Sequence, residues 1–551
     1  MKGGHMKRAF FIILLMTIVI SLFSSEPVTV AEQSDYKQTS TYKDVMEFLF
    51  AAQTRSDKVE ILTLTTSTEG RTVPLVVISS DGIKSPKELR LSGKPAVLIM
   101  ANIHAGEIEG KEATLMLIRD FVKNKDLQHL ENQVVLVIPI FNADGNEKFG
   151  KNRGDNGPEL AGTRYNGQFL DLNRDYLKLE SPEVRGLVKL FNRWDPVLVV
   201  DMHTTNGSYH REPVTYTTNV NPNGDMSLSD YMWKHFFPGA AKILKDTYGY
   251  DSVPYGNFVD RTKPEKGWLN HAFLARYGNN YAGLRNRFTV LDENYSHADF
   301  KTRVLASYGF IKSILQYTHQ HIKDMEKIVK AIDINTKNNY ARENFVLEFE
   351  NEKLFDVTVK SYEFEIEKIK EEDRHKYPPW YGDYIAKKTG VFKDYTVPYY
   401  CKAVSKRSIP LPGAYILLPY QDTIIKNLLH HGISAAKIKK SFQAEVEVFN
   451  IEEVKPAQRL YQGHVFIGLK GHYVTETLTI PENSYLIPMD QPLARLIPVL
   501  LEPESQDSLA AWGFFNRQLV SQWTDKPMLY PVYRLHKKIT SIERYQESVG
   551  Q

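Results

Sequence analysis

The 551 residues exceed what one ordinary hydrophobic core encloses, so two domains are expected. Hydrophobic residues make up 42% and charged residues 25%, with no long polar tract, which excludes a disordered or fibrous chain. A formal charge of only +3, with no Lys/Arg-rich block after the N-terminus, gives no electrostatic case for nucleic acid as a partner.

Lys7 and Arg8 precede an apolar run over residues 9–23, and Pro27-Val-Thr-Val-Ala31 follows. This order of charged, apolar and small residues is that of a secretory signal peptide, so residues 1–31 are expected to be removed after Ala31 and the protein exported. The run falls short of the roughly 20 apolar residues of a membrane-spanning helix, so membrane contact is expected only through an uncleaved signal. Cys401 is the only cysteine, which excludes an intrachain disulfide and a thiolate metal site; it is expected in the core.

Residues 95–100 read as a buried strand, 109–123 as a helix with apolar positions at Ala113, Leu115, Met116, Leu117, Ile118 and Phe121, and 133–140 as a second buried strand. Ser181-Pro-Glu183 has the cap, first-turn proline and early acid of a helix start. Further strands are expected at 197–201 and 288–291. Strands alternating with helices imply an α/β fold, a mixed, mostly parallel sheet sandwiched by helices, over residues 32–335. From 355 to 366, and again from 444 to 449, apolar and polar residues alternate, so 336–551 is expected to be an accessory α+β or β-rich domain.

Past the first strand stands Ala101-Asn-Ile-His-Ala-Gly-Glu-Ile-Glu-Gly110, with His104 and Glu107 three apart in a glycine-containing loop. Ligand sites of open α/β sheets form beyond the strands' carboxyl ends. An imidazole and a carboxylate are good zinc donors, and a catalytic zinc needs a third ligand and an open position. His203, just past the 197–201 strand, supplies the third candidate at the same sheet edge.

Between them lies Asp171-Leu-Asn-Arg-Asp175, and here the chain resembles the zinc carboxypeptidase family, in which His-x-x-Glu, Asn-Arg and a later His recur in this order. The likeness spans residues 42–321 and includes Glu69-Gly-Arg-Thr-Val73, Asn142-Ala-Asp-Gly145 and Lys301-Thr-Arg303. It implies one zinc ion on His104, Glu107 and His203. It also implies that Asn173 and Arg174 hold a substrate's terminal carboxylate and that Asp171 bonds the outer nitrogen of His104. A guanidinium fork suits a carboxylate physically. The resemblance makes Glu293 the general base, with Asp292 as neighbouring competitor; strand alternation lets only one of them reach the metal.

The family's arginine for the carbonyl oxygen has no clean counterpart, because Gly150 stands where it belongs; Arg153 is the choice, with Arg164 the alternative. Tyr277 and Tyr281 are candidates for a tyrosine closing over substrate, and Arg285 and Arg287 for an acidic group or for Asp292. Tyr209-His-Arg-Glu212 either lines the pocket or is structural. The expected activity is zinc-dependent hydrolysis of peptide bonds at the C-terminus through a metal-activated water. The short stretch from Glu107 to His203 approaches that of relatives that deacylate N-acyl amino acids. The alternatives are therefore an amidase or deacylase acting on N-acyl amino acids or cell-wall peptides, and a ligand-binding member without catalysis.

Overall fold

A computed structural model of the chain describes residues 26–152, 156–377, 381–519, 523 and 529–536. Its centre is an eight-stranded sheet of β1 (Val59–Thr66), β2 (Thr72–Ile78), β3 (Ala96–Ala101), β4 (Val134–Ile138), β5 (Leu198–Thr205), β6 (Val214–Thr217), β7 (Ser252–Pro254) and β8 (Phe288–Tyr295). The spatial order is β1-β2-β4-β3-β5-β8-β6-β7. The four middle strands β4, β3, β5 and β8 run parallel, and the antiparallel pairs lie toward the margins. This is the mixed, mostly parallel sheet expected.

Every residue of β3 and β4 is buried, the signature of a parallel sheet covered on both faces. Five helices bear on this arrangement: α1 (Tyr42–Gln53), α2 (Glu109–Val122), α3 (Pro182–Trp194), α4 (Gly278–Leu284) and α5 (Phe300–Asn339). Val97, Ile99, Leu198 and Val200 pack with α1, α2 and α5 on one face. Leu98, Met100 and Val199 pack with α3 and α4 on the other. Helix α3 starts as its sequence dictates, with the Ser181 hydroxyl accepting from Val184 N and Pro182 in the first turn.

Two strands run further than hydropathy suggested. The strand expected at 197–201 continues through His203 to Thr205, so His203 lies within β5 and not in a loop after it. The strand expected at 288–291 continues to Tyr295 and carries Asp292 and Glu293 within it.

Strands β9 (Asn344–Lys368) and β10 (Tyr384–Pro410) form a long hairpin, joined to the short pair Asn257–Phe258 and Trp268–Leu269. The remaining strands are β11 (Ala414–Leu417), β12 (Phe442–Tyr461), β13 (His464–Ile480), β14 (Tyr485–Pro488) and β15 (Val532–Leu535). With the short strand Ala436–Lys437 they make a six-stranded sheet. The C-terminal region is thus rich in sheet, with added helices among the described residues that include α6 (Asp422–His430) and α7 (Leu496–Leu501).

The boundary expected at 335/336 falls inside α5. One apolar cluster joins Leu177, Leu187, Phe191 and Tyr281 to Leu428, Ile497, Leu500 and Tyr530, so the two regions share a core. At the other end, the short helix Val30–Gln33 is capped by Thr29, Ala31 is fully buried, and Glu32 pairs with Arg119 at 2.6 Å. Residues 1–25, with most of the expected signal peptide, lie outside the described residues.

Candidate active site

Strand β3 ends at the sheet's carboxyl edge, and its chain turns sharply through Asn102, whose φ of 65° is left-handed. The Asn102 side-chain amide donates to the carbonyls of Ala105 and Glu107, both at 3.3 Å, and fixes the loop. Glycine is needed at 106, because a Cβ there would lie 2.8 Å from the carbonyl oxygen of Gly162. This loop delivers His104 and Glu107, while β5 delivers His203 from the neighbouring strand.

The three side chains meet. His104 Nδ1 lies 3.0 Å from Glu107 Oε1, His203 Nδ1 lies 3.0 Å from Glu107 Oε2, and the two Nδ1 atoms are 3.2 Å apart. All three residues are buried, and one donor atom from each falls within 4.8 Å of the others. Two imidazole nitrogens and one carboxylate oxygen facing a common point suit a catalytic zinc in donor type and number.

The outer nitrogen of each imidazole faces a carboxylate. His104 Nε2 is 3.0 Å from Asp171 Oδ1, and His203 Nε2 is 3.1 Å from Asp201 Oδ2. A carboxylate on the outer nitrogen fixes ring orientation and leaves Nδ1 free to ligate. Asp201 was not singled out from sequence. Its signal was the two-residue step to His203, which puts both on one face of a strand, legible only once β5 is known to extend that far. Burial opposes ionisation of Asp171, but His104, Arg174 and Arg164 hold its carboxyl far below the usual range. Glu107 is likewise kept ionised against burial by His104 and His203.

Strand register separates Glu293 from Asp292. In the parallel β5/β8 pair Glu293 stands beside His203, and Asp292 beside Met202. Asp292 therefore faces α5, whose Ser307 hydroxyl approaches its carboxyl at 3.4 Å, with Asn294 Nδ2 of the same strand at 3.5 Å. Burial and the Glu293 charge push that carboxyl well up. Glu293 is half-buried on the site face, close enough to Arg164 and Tyr255 to bear on their ionisation.

Asn173 and Arg174 follow Asp171 in a 3-10 turn over Leu172–Arg174. Asn173 Nδ2 is 3.5 Å from His203 Nε2, and its Oδ1 accepts from Gly278 N at 2.8 Å. Arg174 donates through Nη1 to Asn173 O at 2.8 Å and through Nε to the Tyr461 hydroxyl at 2.9 Å. Its guanidinium lies 4.5 Å from the centroid of the Tyr277 ring.

Arg153 lies outside the described residues. Arg164 stands at the ligand cluster, with Nε donating to Asp171 Oδ2 at 2.8 Å and Nη1 3.5 Å from Glu107 Oε1. Other candidates leave the site. Tyr281 is fully buried, bonds to His431 at 2.8 Å and belongs to the core. Arg285 binds His431 O and Asn192, and Arg287 binds Asp195 and Asp333, so neither pairs with Asp292. His210 stacks on Tyr295 at 3.8 Å, while Glu212 accepts from Lys360 N at 2.8 Å, which ties this segment to β9. Tyr255, beside Glu293, carried no signal among 31 tyrosines.

Residues 45–267 match the sequence profile of the zinc carboxypeptidase family. Carboxypeptidase 2 of Trichophyton equinum is 25% identical over 484 residues, covering 85% of this chain and 81% of its own. Carboxypeptidase 2 of Trichophyton rubrum is 24% identical over 486 residues, with the same coverage. Among solved structures, a metallo-carboxypeptidase from Burkholderia cenocepacia covers 51% of this chain and 69% of its own at 15% identity, with a TM-score of 0.38. Carboxypeptidase A from Helicoverpa armigera covers 53% and 74% at 17% identity, also with a TM-score of 0.38. The profile takes in His104, Glu107, Asn173, Arg174 and His203, and it ends before Glu293. Residues 45–267 thus match a zinc carboxypeptidase domain, and together with the curated carboxypeptidases similar over most of the chain this supports a zinc metallopeptidase.

Proposed function

We propose that the chain is an exported carboxypeptidase that releases C-terminal residues from peptides, using one zinc ion held by His104, Glu107 and His203. The observation that carries this reading is the convergence of those three donors, with Glu293 in register beside His203 and Arg174 on the adjoining loop. Bound zinc lowers the pKa of a coordinated water to about 7 and withdraws charge from the scissile carbonyl.

The chain's own groups supply the rest. Arg174 and Asn173 hold the terminal carboxylate, which sets the last peptide bond against the metal. Arg164, kept charged against its burial by Asp171 and Glu107, offers a cation to the carbonyl oxygen as negative charge develops there. Glu293 takes a proton from the attacking water and passes it to the leaving nitrogen. A carbon–oxygen bond forms, the carbon–nitrogen bond breaks, and a shortened peptide and a free amino acid result. Asp171 and Asp201 hold the two imidazoles throughout.

Metal content and product release test this on the purified mature chain. Stoichiometric zinc and chelator-sensitive release of one terminal residue at a time are expected. Glu293→Gln is expected to keep its zinc and lose turnover by about 10²- to 10⁴-fold. Zinc with cleavage only of acetylated amino acids would instead support the deacylase alternative, and a metal-free chain would sink the reading.

Export belongs to the same proposal. Because Ala31 is buried and Thr29 caps the helix that carries Glu32, processing ahead of Thr29 preserves both, whereas processing after Ala31 removes them. Sequencing the mature N-terminus checks this, and a mature chain beginning at Glu32 would contradict it.

A further inference from the structure

The loop that bears Asp171, Asn173 and Arg174 is not held by the catalytic sheet alone. Strands β12 and β13 form a hairpin whose last pair is Tyr461 opposite His464, leaving Gln462 and Gly463 as a two-residue turn. Both turn residues have positive φ, 52° and 80°. Such a turn favours Asn-Gly, so a glutamine in its first position is held there against its own backbone preference. The position is explained by where the side chain goes. Gln462 Oε1 accepts from the backbone N–H of Asp171 at 2.8 Å.

The neighbours of Gln462 make the same crossing. The Tyr461 hydroxyl accepts from Arg174 Nε at 2.9 Å. His464 Nε2 lies 2.7 Å from Glu180 Oε1, and Asn427 of α6 donates to the carbonyls of Leu177 and Lys178, both at 3.0 Å. Behind the tip, the buried Trp512 ring stacks on Tyr461 at 6.0 Å between centroids. Tyr461 itself remains 38% exposed, so its ring sits at the rim of the site and not in the core.

We propose that this C-terminal hairpin completes the substrate site, with Tyr461 and Gln462 as positioning residues that aim Arg174 at the terminal carboxylate. The proposal rests on the carboxylate-binding role of Arg174 given above. With Nε engaged by Tyr461 and Nη1 by Asn173 O, the guanidinium is fixed in one orientation, and Nη2 makes no hydrogen bond to the described residues. Gln462 fixes the start of the same turn. The region after α5 thereby decides whether a substrate's free carboxylate is recognised.

The test uses the full mature chain carrying Glu293→Gln, so that binding is read without turnover. Dissociation constants are measured for an N-acyl dipeptide with a free carboxylate and for its C-terminal amide. The parent is expected to prefer the free acid; no preference would overturn the role of Arg174, and this proposal with it. Adding Tyr461→Phe is expected to weaken the free acid about fivefold, the worth of one hydrogen bond, and to move the amide less than twofold. Gln462→Gly relieves the turn and should hold or raise the melting temperature while still reducing the preference. If the parent prefers the free acid, yet both variants keep that preference or weaken acid and amide by the same factor, the hairpin is only structural. The proposal then falls while the carboxylate role of Arg174 stands.

Discussion

At the scale of single residues, the buried carboxyls divide by what surrounds them. Glu107 and Asp171 are kept ionised by imidazole and guanidinium partners, whereas Glu183 in the first turn of α3 is fully buried and has no cation beside it among the described residues, with its own backbone N–H and, at 3.3 Å, Asn166 Nδ2 as donors. Burial, with Asp144 and Asp175 nearby, pushes its carboxyl up to about 7. The folded chain therefore holds this proton to higher pH than the unfolded chain, and stability falls as pH rises from about 4.5 to 7. The loss is about 3 kcal/mol at most. Glu183→Gln is expected to leave the denaturant midpoint unchanged at pH 4 and to raise it at pH 8. A variant equally destabilised at both would show that Glu183 is wanted as an anion for the helix start. Residue by residue, the candidate metal ligands were legible because zinc takes those donor types and because their order resembles that of the zinc carboxypeptidase family. Asp201 was not, because an aspartate at the end of an apolar run looks like the end of a strand.

The same physics explains the elements. The expected strands stopped at Asp201 and Leu291 because polar residues follow, yet β5 and β8 continue to Thr205 and Tyr295. Of those polar residues His203 and Glu293 lie on the face of the candidate site, whereas Asp292 and Asn294 are buried against α5, so hydropathy alone does not mark where either strand ends. Helix α2 was legible nearly to the residue, since its apolar positions repeat at helical spacing over Glu109–Val122. Its first turn also holds the site's geometry. A Cβ on Gly110 would lie 2.8 Å from the Met202 Cβ and 3.1 Å from the Ala101 Cβ, on the strands that deliver His203 and His104. Alanine gains about 1 kcal/mol in helix propensity. The opposing contacts are with Cβ atoms fixed to sheet backbone, which no side-chain rotation relieves, so overpacking of about 1–3 kcal/mol wins. Gly110→Ala is expected to lower the melting temperature by several degrees; a more stable variant would mean the helix shifts freely against the sheet.

For the whole molecule, composition and alternation indicated a sheet-rich second part, but nothing local in a sequence announces which surfaces two parts share. That information lies in contacts between distant segments: Asn427 with Leu177, the tip of β12 and β13 with Asp171 and Arg174, and Arg276 with Asp507 at 2.7 Å. The Arg276–Asp507 pair is nearly buried, and breaking such a pair by removing one partner costs about 3–5 kcal/mol. Beside it, the apolar cluster on the α3 face draws Leu428, Ile497, Leu500 and Tyr530 from beyond α5. A chain ended after Asn339 exposes that face of α3 and α4 to water and leaves Arg276 without its carboxylate. The expected result is therefore a single cooperative thermal transition for the full mature chain and no folded product from the truncated one, measured by calorimetry and by near-ultraviolet circular dichroism. Two separate transitions, or a truncated chain with a sharp melt and bound zinc, would show instead that the catalytic sheet stands alone and that the C-terminal region merely covers it.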